Sequence, residues 1–99
     1  SPADTIEGYL PLVTAKYWAG RQRHDLVTAL ADRLLVVNPY SPYIEELLLL
    51  SAKSDVARGQ HERAAATLES LLKDYPGSPL VEQSRQMLET LRQSASQGK

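Results

Sequence analysis

Cysteine and phenylalanine are both absent from these 99 residues. Without cysteine there are no disulfides, no thiolate nucleophile and no Cys-based zinc site. The absence fits a reducing cytoplasm and equally fits an extracytoplasmic protein that avoids thiols. A strong charge imbalance is missing too. The net charge of −1 at pH 7 gives no long-range field for a polyanion, so nucleic-acid binding loses its usual footprint. No apolar run approaches the roughly 18 residues of a bilayer span. The longest is Leu47-Leu48-Leu49-Leu50, and direct membrane insertion is not expected. A signal-peptide pattern is also lacking. The chain opens Ser1-Pro2-Ala3-Asp4 without methionine, which suggests processing or excision from a longer product, with any targeting segment lost. Finally, there is no Gly-rich phosphate loop, nucleophile motif or desolvated carboxylate pair, so neither enzyme activity nor a cofactor is expected.

What remains is helix-forming sequence. Leu, Ala, Glu, Gln and Arg dominate, β-branched residues are scattered, and no strand pattern of any length is visible. With 42% apolar and 23% charged residues, the composition suits one globular domain at most, with a thin core. Punctuation divides the chain into about five helices. Asp4-Thr5-Ile6-Glu7 reads as a capping box for the first, which runs to Trp18-Ala19 and stops at Gly20. Pro11 lies inside it and is expected to kink or restart it. The second spans about Asp25 to Val37, with Leu26, Val27, Leu30, Ala31, Leu34 and Leu35 as its stripe. Ser41 as N-cap and Pro42 as first helical residue open a third that reaches Arg58. The fourth runs from about His61 to Asp74, and Ser78-Pro79 starts a fifth in the same manner. Beyond Ser94 the tail is expected to fray. Short links between helices make successive helices antiparallel neighbours.

The middle of the chain is written twice. Asn38-Pro39-Tyr40-Ser41-Pro42 recurs as Tyr75-Pro76-Gly77-Ser78-Pro79, with Pro76 lying 37 positions after Pro39. Ala52 follows Ala15 at the same 37-residue offset. A fixed period of this size between helical segments marks a stacked-helix repeat. Such arrays offer a surface and seldom carry chemistry, so a binding scaffold is the expected function.

These residues resemble the tetratricopeptide repeat, a helix-turn-helix module usually about 34 residues long. In the second copy Leu48, Ser51, Ala52 and Asp55 fall at the spacing of the first-helix pattern. Ala64 and Leu68 match the second-helix positions, and Pro76 closes the repeat. Ser51 and Asp55 depart from the usual Leu and Tyr. In the first copy Ala15, Trp18, Val27, Ala31 and Pro39 hold the spacing, while Pro11 replaces a large aromatic and Gly20 precedes the expected turn by two residues. The resemblance implies an all-α fold of antiparallel helical hairpins stacked as a short right-handed array. Repeat one covers about residues 8–41 and repeat two about 45–78. A capping helix then covers about 79–94, with a frayed tail at 95–99. The Tyr75-Pro76-Gly77-Ser78-Pro79 segment is also similar to junctions in bacterial envelope repeat proteins of the outer-membrane-assembly and Tol-associated kind. That implies a periplasmic or envelope location, with the cytoplasm open as an alternative.

In the resembled family, ligands lie in a concave groove lined by the first helix of each repeat. Carried over residue by residue, the groove receives Leu12 and Lys16 from repeat one and Leu49 and Lys53 from repeat two. Two stacked lysines over a leucine floor suit a peptide or helix with an acidic or carboxylate end, although two ordinary solvated lysines are the plainer account of them. The family's carboxylate clamp also uses asparagines, which this groove lacks. Leu47 to Leu50 make the third helix apolar nearly all round. Either it is central, packed by the second, fourth and fifth helices, or Leu49 belongs to an exposed patch for a partner helix or a second copy. Tyr40, beside Ser41-Pro42, is a further candidate contact. Trp18 is assigned to the core. His24 and His61 are equivalent, but two histidines without a third ligand make a poor zinc site, and no metal is expected. Arg21, Arg23 and His24 form a small basic turn. The leading reading is a non-catalytic protein-interaction scaffold. Homotypic assembly, or an accessory helical role in a larger enzyme or envelope complex, stands as the alternative.

Overall fold

A computed structural model describes residues 2–97, with side chains from residue 8 onward. Among the described residues the chain forms five α-helices and no strand: α1 (Pro2–Gly20), α2 (His24–Val37), α3 (Ile44–Ala57), α4 (His61–Asp74) and α5 (Val81–Gln97). No helix is long and apolar enough to cross a membrane. The extents of 48 × 31 × 19 Å allow a thickness of two helices. An α1–α3 contact, and a groove shared by α1, α3 and α5, put those three helices on one side, while the Arg63–Asp32 pair joins α4 to α2 on the other. Contacts run α1 with α2, α2 with α3, α3 with α4 and α4 with α5, together with a smaller α1–α3 contact.

The repetition seen in the sequence is reproduced bond for bond. Helices α2 and α4 begin at His24 and His61 and end at Val37 and Asp74, each 37 positions apart. At the first junction Asn38 N–H donates to the Leu34 carbonyl, Ser41 N–H to Asn38 and Ile44 N–H to Ser41. At the second, Tyr75 donates to Leu71, Ser78 to Tyr75 and Val81 to Ser78, the same three bonds one repeat later. The serine hydroxyls repeat as well: Ser41 Oγ accepts from Tyr43 N–H at 3.2 Å, and Ser78 Oγ from Leu80 N–H at 3.1 Å. Both Ser-Pro pairs thus form a hydroxyl-capped turn ahead of the helix. Helices α3 and α5 consequently begin at Ile44 and Val81, later than a start at Pro42 or Pro79. Tyr75 links the two junctions directly, its hydroxyl donating to the Pro39 carbonyl at 2.7 Å.

The tight turns inside the hairpins also match. Arg23 N–H donates to the Trp18 carbonyl and Gln60 N–H to that of Asp55. The left-handed residue of each turn is Gln22 (φ 60°) in the first and Gly59 (φ 75°) in the second. Gly20 is therefore the last residue of α1 and not the turn glycine.

Several other expectations are corrected. Helix α1 begins at Pro2, so Asp4 lies within it instead of capping it; the side chains of residues 2–7 lie outside the described residues. Pro11 does not restart α1, which is continuous across it. Its missing N–H removes one helical bond, and the loss is tolerated in a helix held by its neighbours. At the other end α5 continues to Gln97, so residues 94–97 are helical, while residues 98–99 lie outside the described residues.

Helix α3 explains the run of leucines. Its buried residues divide into stripes at helical spacing. Leu47, Ser51 and Ser54 face α2, as shown by the 2.9 Å contact between His24 Nδ1 and Ser54 Oγ. Leu48, Ala52 and Asp55 face α4, as shown by Arg63 Nε at 3.5 Å from Asp55 Oδ2. The remaining side, marked by the 2.7 Å pair of Glu46 with Lys16, faces α1. The helix is central as expected, but its third neighbour is α1, because α5 packs on α4. Each fully buried leucine here contributes about 1.5–3 kcal/mol. Small residues set how closely the layers approach. Ala15, Ala52 and Ala64 are fully buried, and a Cβ on Gly8 would meet Ser41 Oγ at 2.0 Å.

Two expectations test this packing. Ala52→Leu lowers stability by about 1–3 kcal/mol because the α3–α4 crossing has no space for it. Ala95→Leu, on the exposed end of α5, stays within about 0.5 kcal/mol of the parent. Equal shifts of the two in urea melts would contradict the α3 register. Swapping the turn residues should give opposite signs. Gly59→Gln costs about 1 kcal/mol, since φ is positive there, whereas Gln22→Gly relieves that strain and raises stability by up to about 1 kcal/mol. Thermal melts of both variants check the pair.

Candidate functional site

Three helices that are first in their repeats, α1, α3 and α5, leave a groove between them. Its volume is about 460 Å³, and it is lined by Lys16 on α1, by Glu45, Glu46, Leu49, Leu50 and Lys53 on α3, by Leu80 just before α5 and by Gln83 in its first turn. The two Ser-Pro turns contribute Pro42, Ser78 and Pro79. Because Pro42 and Pro79 are equivalent positions, the repeat itself sets two rigid apolar turns beside the groove.

The structure brings together three of the five candidate residues. Lys16, Leu49 and Lys53 all line the groove, with both lysines exposed. Leu49 is only 4% exposed and forms floor, not surface, because it points to the side of α3 that meets α1. Its reading as an exposed patch is thereby corrected. Leu12, its equivalent in α1, is 3% exposed, belongs to the core and does not line the groove. Tyr40 is 90% exposed and lies outside it.

Electrostatics changes the ligand the groove suits. Lys16 Nζ lies 2.7 Å from Glu46 Oε2, an ion pair between half-exposed side chains. Such a pair is individually weak, but it leaves Lys53 as the lysine whose charge faces the groove without an acid paired to it among the described residues. With Glu45 also present, the rim is of mixed sign. Glu46 was not among the sequence-derived candidates, because a contact between residues 16 and 46 leaves no trace in local spacing.

A second polar arrangement was invisible to motif reading. Asp55 is fully buried, and neither carboxylate oxygen has a hydrogen-bond partner among the described residues. Arg63 Nε stands 3.5 Å from Oδ2, while Arg63 Nη2 pairs with Asp32 Oδ2 at 2.5 Å. Arg63 therefore connects α4 to α2 and stands over the buried carboxyl. Burial pushes the Asp55 carboxyl above its ordinary value of 3.8; Arg63 and Arg58 pull it down less strongly, and Asp32 adds to the rise. The carboxyl faces the α3–α4 packing and lines neither the groove nor the cleft between Leu10 and Leu34.

The remaining candidates occupy ordinary places. Trp18 is half-buried against the core, with Arg23 5.8 Å over its ring. Arg23 also pairs with Asp25 at 3.2 Å, and that hydrogen bond holds the Asp25 carboxyl below its usual range. His24 contacts Ser54, whereas His61 is exposed. Among the described residues no three His, Cys, Asp or Glu side chains gather as a metal would need. Comparison with family models, with curated proteins and with solved structures finds no match for this chain.

The pH dependence of Asp55 follows from the direction of its shift. A carboxyl raised in the fold favours folding fully below its unfolded value, and that contribution is lost as pH rises through the folded value. Asp55→Asn should therefore melt above the parent at pH 7 and lose the advantage near about pH 3. A variant less stable than the parent at pH 7 would mean that attraction by Arg63 outweighs desolvation.

Proposed function

We propose that this chain is a non-catalytic interaction scaffold, similar to a tetratricopeptide array, that holds a peptide or helix of a partner protein between α1, α3 and α5. The observation that carries the reading is the groove itself, with an apolar floor of Leu49, Leu50 and Leu80 and a charged rim. A floor of leucine and proline removes apolar guest side chains from water, and the rim fixes orientation. Lys53 is the residue that receives an acidic side chain or a terminal carboxylate. Lys16 contributes less, because Glu46 already holds it. One exposed charge adds about 1 kcal/mol or less, so affinity is micromolar and falls with salt.

A second surface lies outside the groove lining: Tyr9, Leu10, Val13 and Tyr17 on α1 are all exposed, an unusual density of large apolar groups on one helix.

Selection of peptides from a displayed library against the folded chain tests the groove. Recovered sequences should combine apolar residues with an acidic group. Lys53→Glu should weaken their binding about threefold to fivefold, and Lys16→Glu distinctly less. Equal binding by the parent and both variants would move the site away from this groove.

A further inference from the structure

The 37-residue equivalence shows what the exposed side of α1 is shaped to meet. In α3 the stripe Leu47, Ser51 and Ser54 is buried against α2, and in α5 the equivalent Ser84 and Leu88 are buried against α4. The same stripe in α1 is Leu10, Thr14 and Tyr17, and no helix among the described residues covers it. Leu10 is 55% exposed where Leu47 is 0%, and Tyr17 is 53% exposed where Ser54 is 2%. Val13, adjoining the stripe, is 44% exposed. The face is thus continuous in design with two interfaces inside the molecule, and each of those is made with a helix.

Charge selects the kind of helix. At one end the Arg21 guanidinium lies 5.2 Å over the Tyr17 ring. At the other end Leu10 shares a cleft of about 300 Å³ with Pro11, Leu30, Leu34, Val37 and Arg33. Among the described residues the apolar stripe is bracketed by two arginines. A second copy paired on this face about a two-fold axis at Val13 would set the Arg21 end against the Arg33 end, like against like. Head-to-tail stacking fails for another reason. In α5 the stripe equivalent to Leu48, Ala52 and Asp55 is Arg85, Glu89 and Arg92, all exposed and polar, and cannot cover leucine and tyrosine.

We propose that Leu10, Val13 and Tyr17 dock an amphipathic helix of a partner protein whose apolar stripe is flanked by acidic residues. The guest lies along α1 as α2 lies along α3, its apolar side chains reaching the Leu10–Leu34 cleft and its acids meeting Arg21 and Arg33. This surface is separate from the groove that carries Lys53.

Two synthetic helical peptides with one shared apolar stripe, flanked by glutamates in one and lysines in the other, test the proposal by titration of the full chain. The glutamate peptide should bind about threefold to tenfold tighter than the lysine peptide. Arg21→Glu/Arg33→Glu should reverse that order. Leu10→Glu, at an exposed position and shown folded by its melt, should weaken the glutamate peptide at least about tenfold. Lys53→Glu should leave it unchanged, so failure here is distinguishable from failure of the groove. Absence of binding, or binding indifferent to Leu10→Glu, overturns the proposal. So does sedimentation showing parent dimers that Leu10→Glu dissolves, which would give the face to a second copy. Leu10-dependent adsorption to anionic vesicles without peptide binding would give it to a membrane surface and likewise refute a partner helix.

Discussion

A helix held by neighbours on three sides has almost no circumference left for charge, and α3 meets that requirement residue by residue. Leu47, Ser51 and Ser54 serve α2, Leu48, Ala52 and Asp55 serve α4, and Glu46 turns towards α1. Neither hairpin could bury its own apolar face, so the stability of each is borrowed from α3. That dependence explains why α3 has a poor amphipathic pattern while α5, which packs on α4, has a clear one. It also explains how Asp55 comes to be buried. Its place in the repeat is occupied by Trp18 in α1 and Arg92 in α5, and only in the central helix is a side chain there enclosed on all sides.

The same repeat position is tuned differently along the array. At the stripe that faces the preceding outer helix, α3 uses Leu47, α5 uses the buried Ser84, and α1 leaves Leu10 exposed. At the stripe that faces the following outer helix, α5 replaces the packed residues of α3 with Arg85, Glu89 and Arg92. The described faces of α1 and α5 are therefore chemically unlike, one apolar with arginines and the other polar. The groove carrying Lys53 lies between, formed by the layer that contains α1, α3 and α5.

Much of this was legible in the chain itself. The all-helical class, the five helices and the 37-residue recurrence follow from propensity, Ser-Pro punctuation and repeated spacing, because those signals are local. The grouping of Lys16, Leu49 and Lys53 was also legible, since equivalent positions in a repeat must stack on one face. Helix starts were shifted by a few residues. A serine hydroxyl can cap a turn as readily as a helix, and the local sequence does not say which. Leu12 was misplaced for a different reason: exposure and burial depend on which helix lies opposite.

The sequence by itself determined the repeat, its helical content and the turn positions, because each rests on interactions between residues close in the chain. Tertiary structure decided the rest. It placed Glu46 on Lys16, buried Asp55 beneath Arg63, sank Leu49 into the floor and left Leu10 uncovered. Each outcome depends on which helix packs opposite the residue, whether near in the chain, as Arg63 is to Asp55, or far from it, as Lys16 is from Glu46, and no local pattern of residues encodes which neighbour that is.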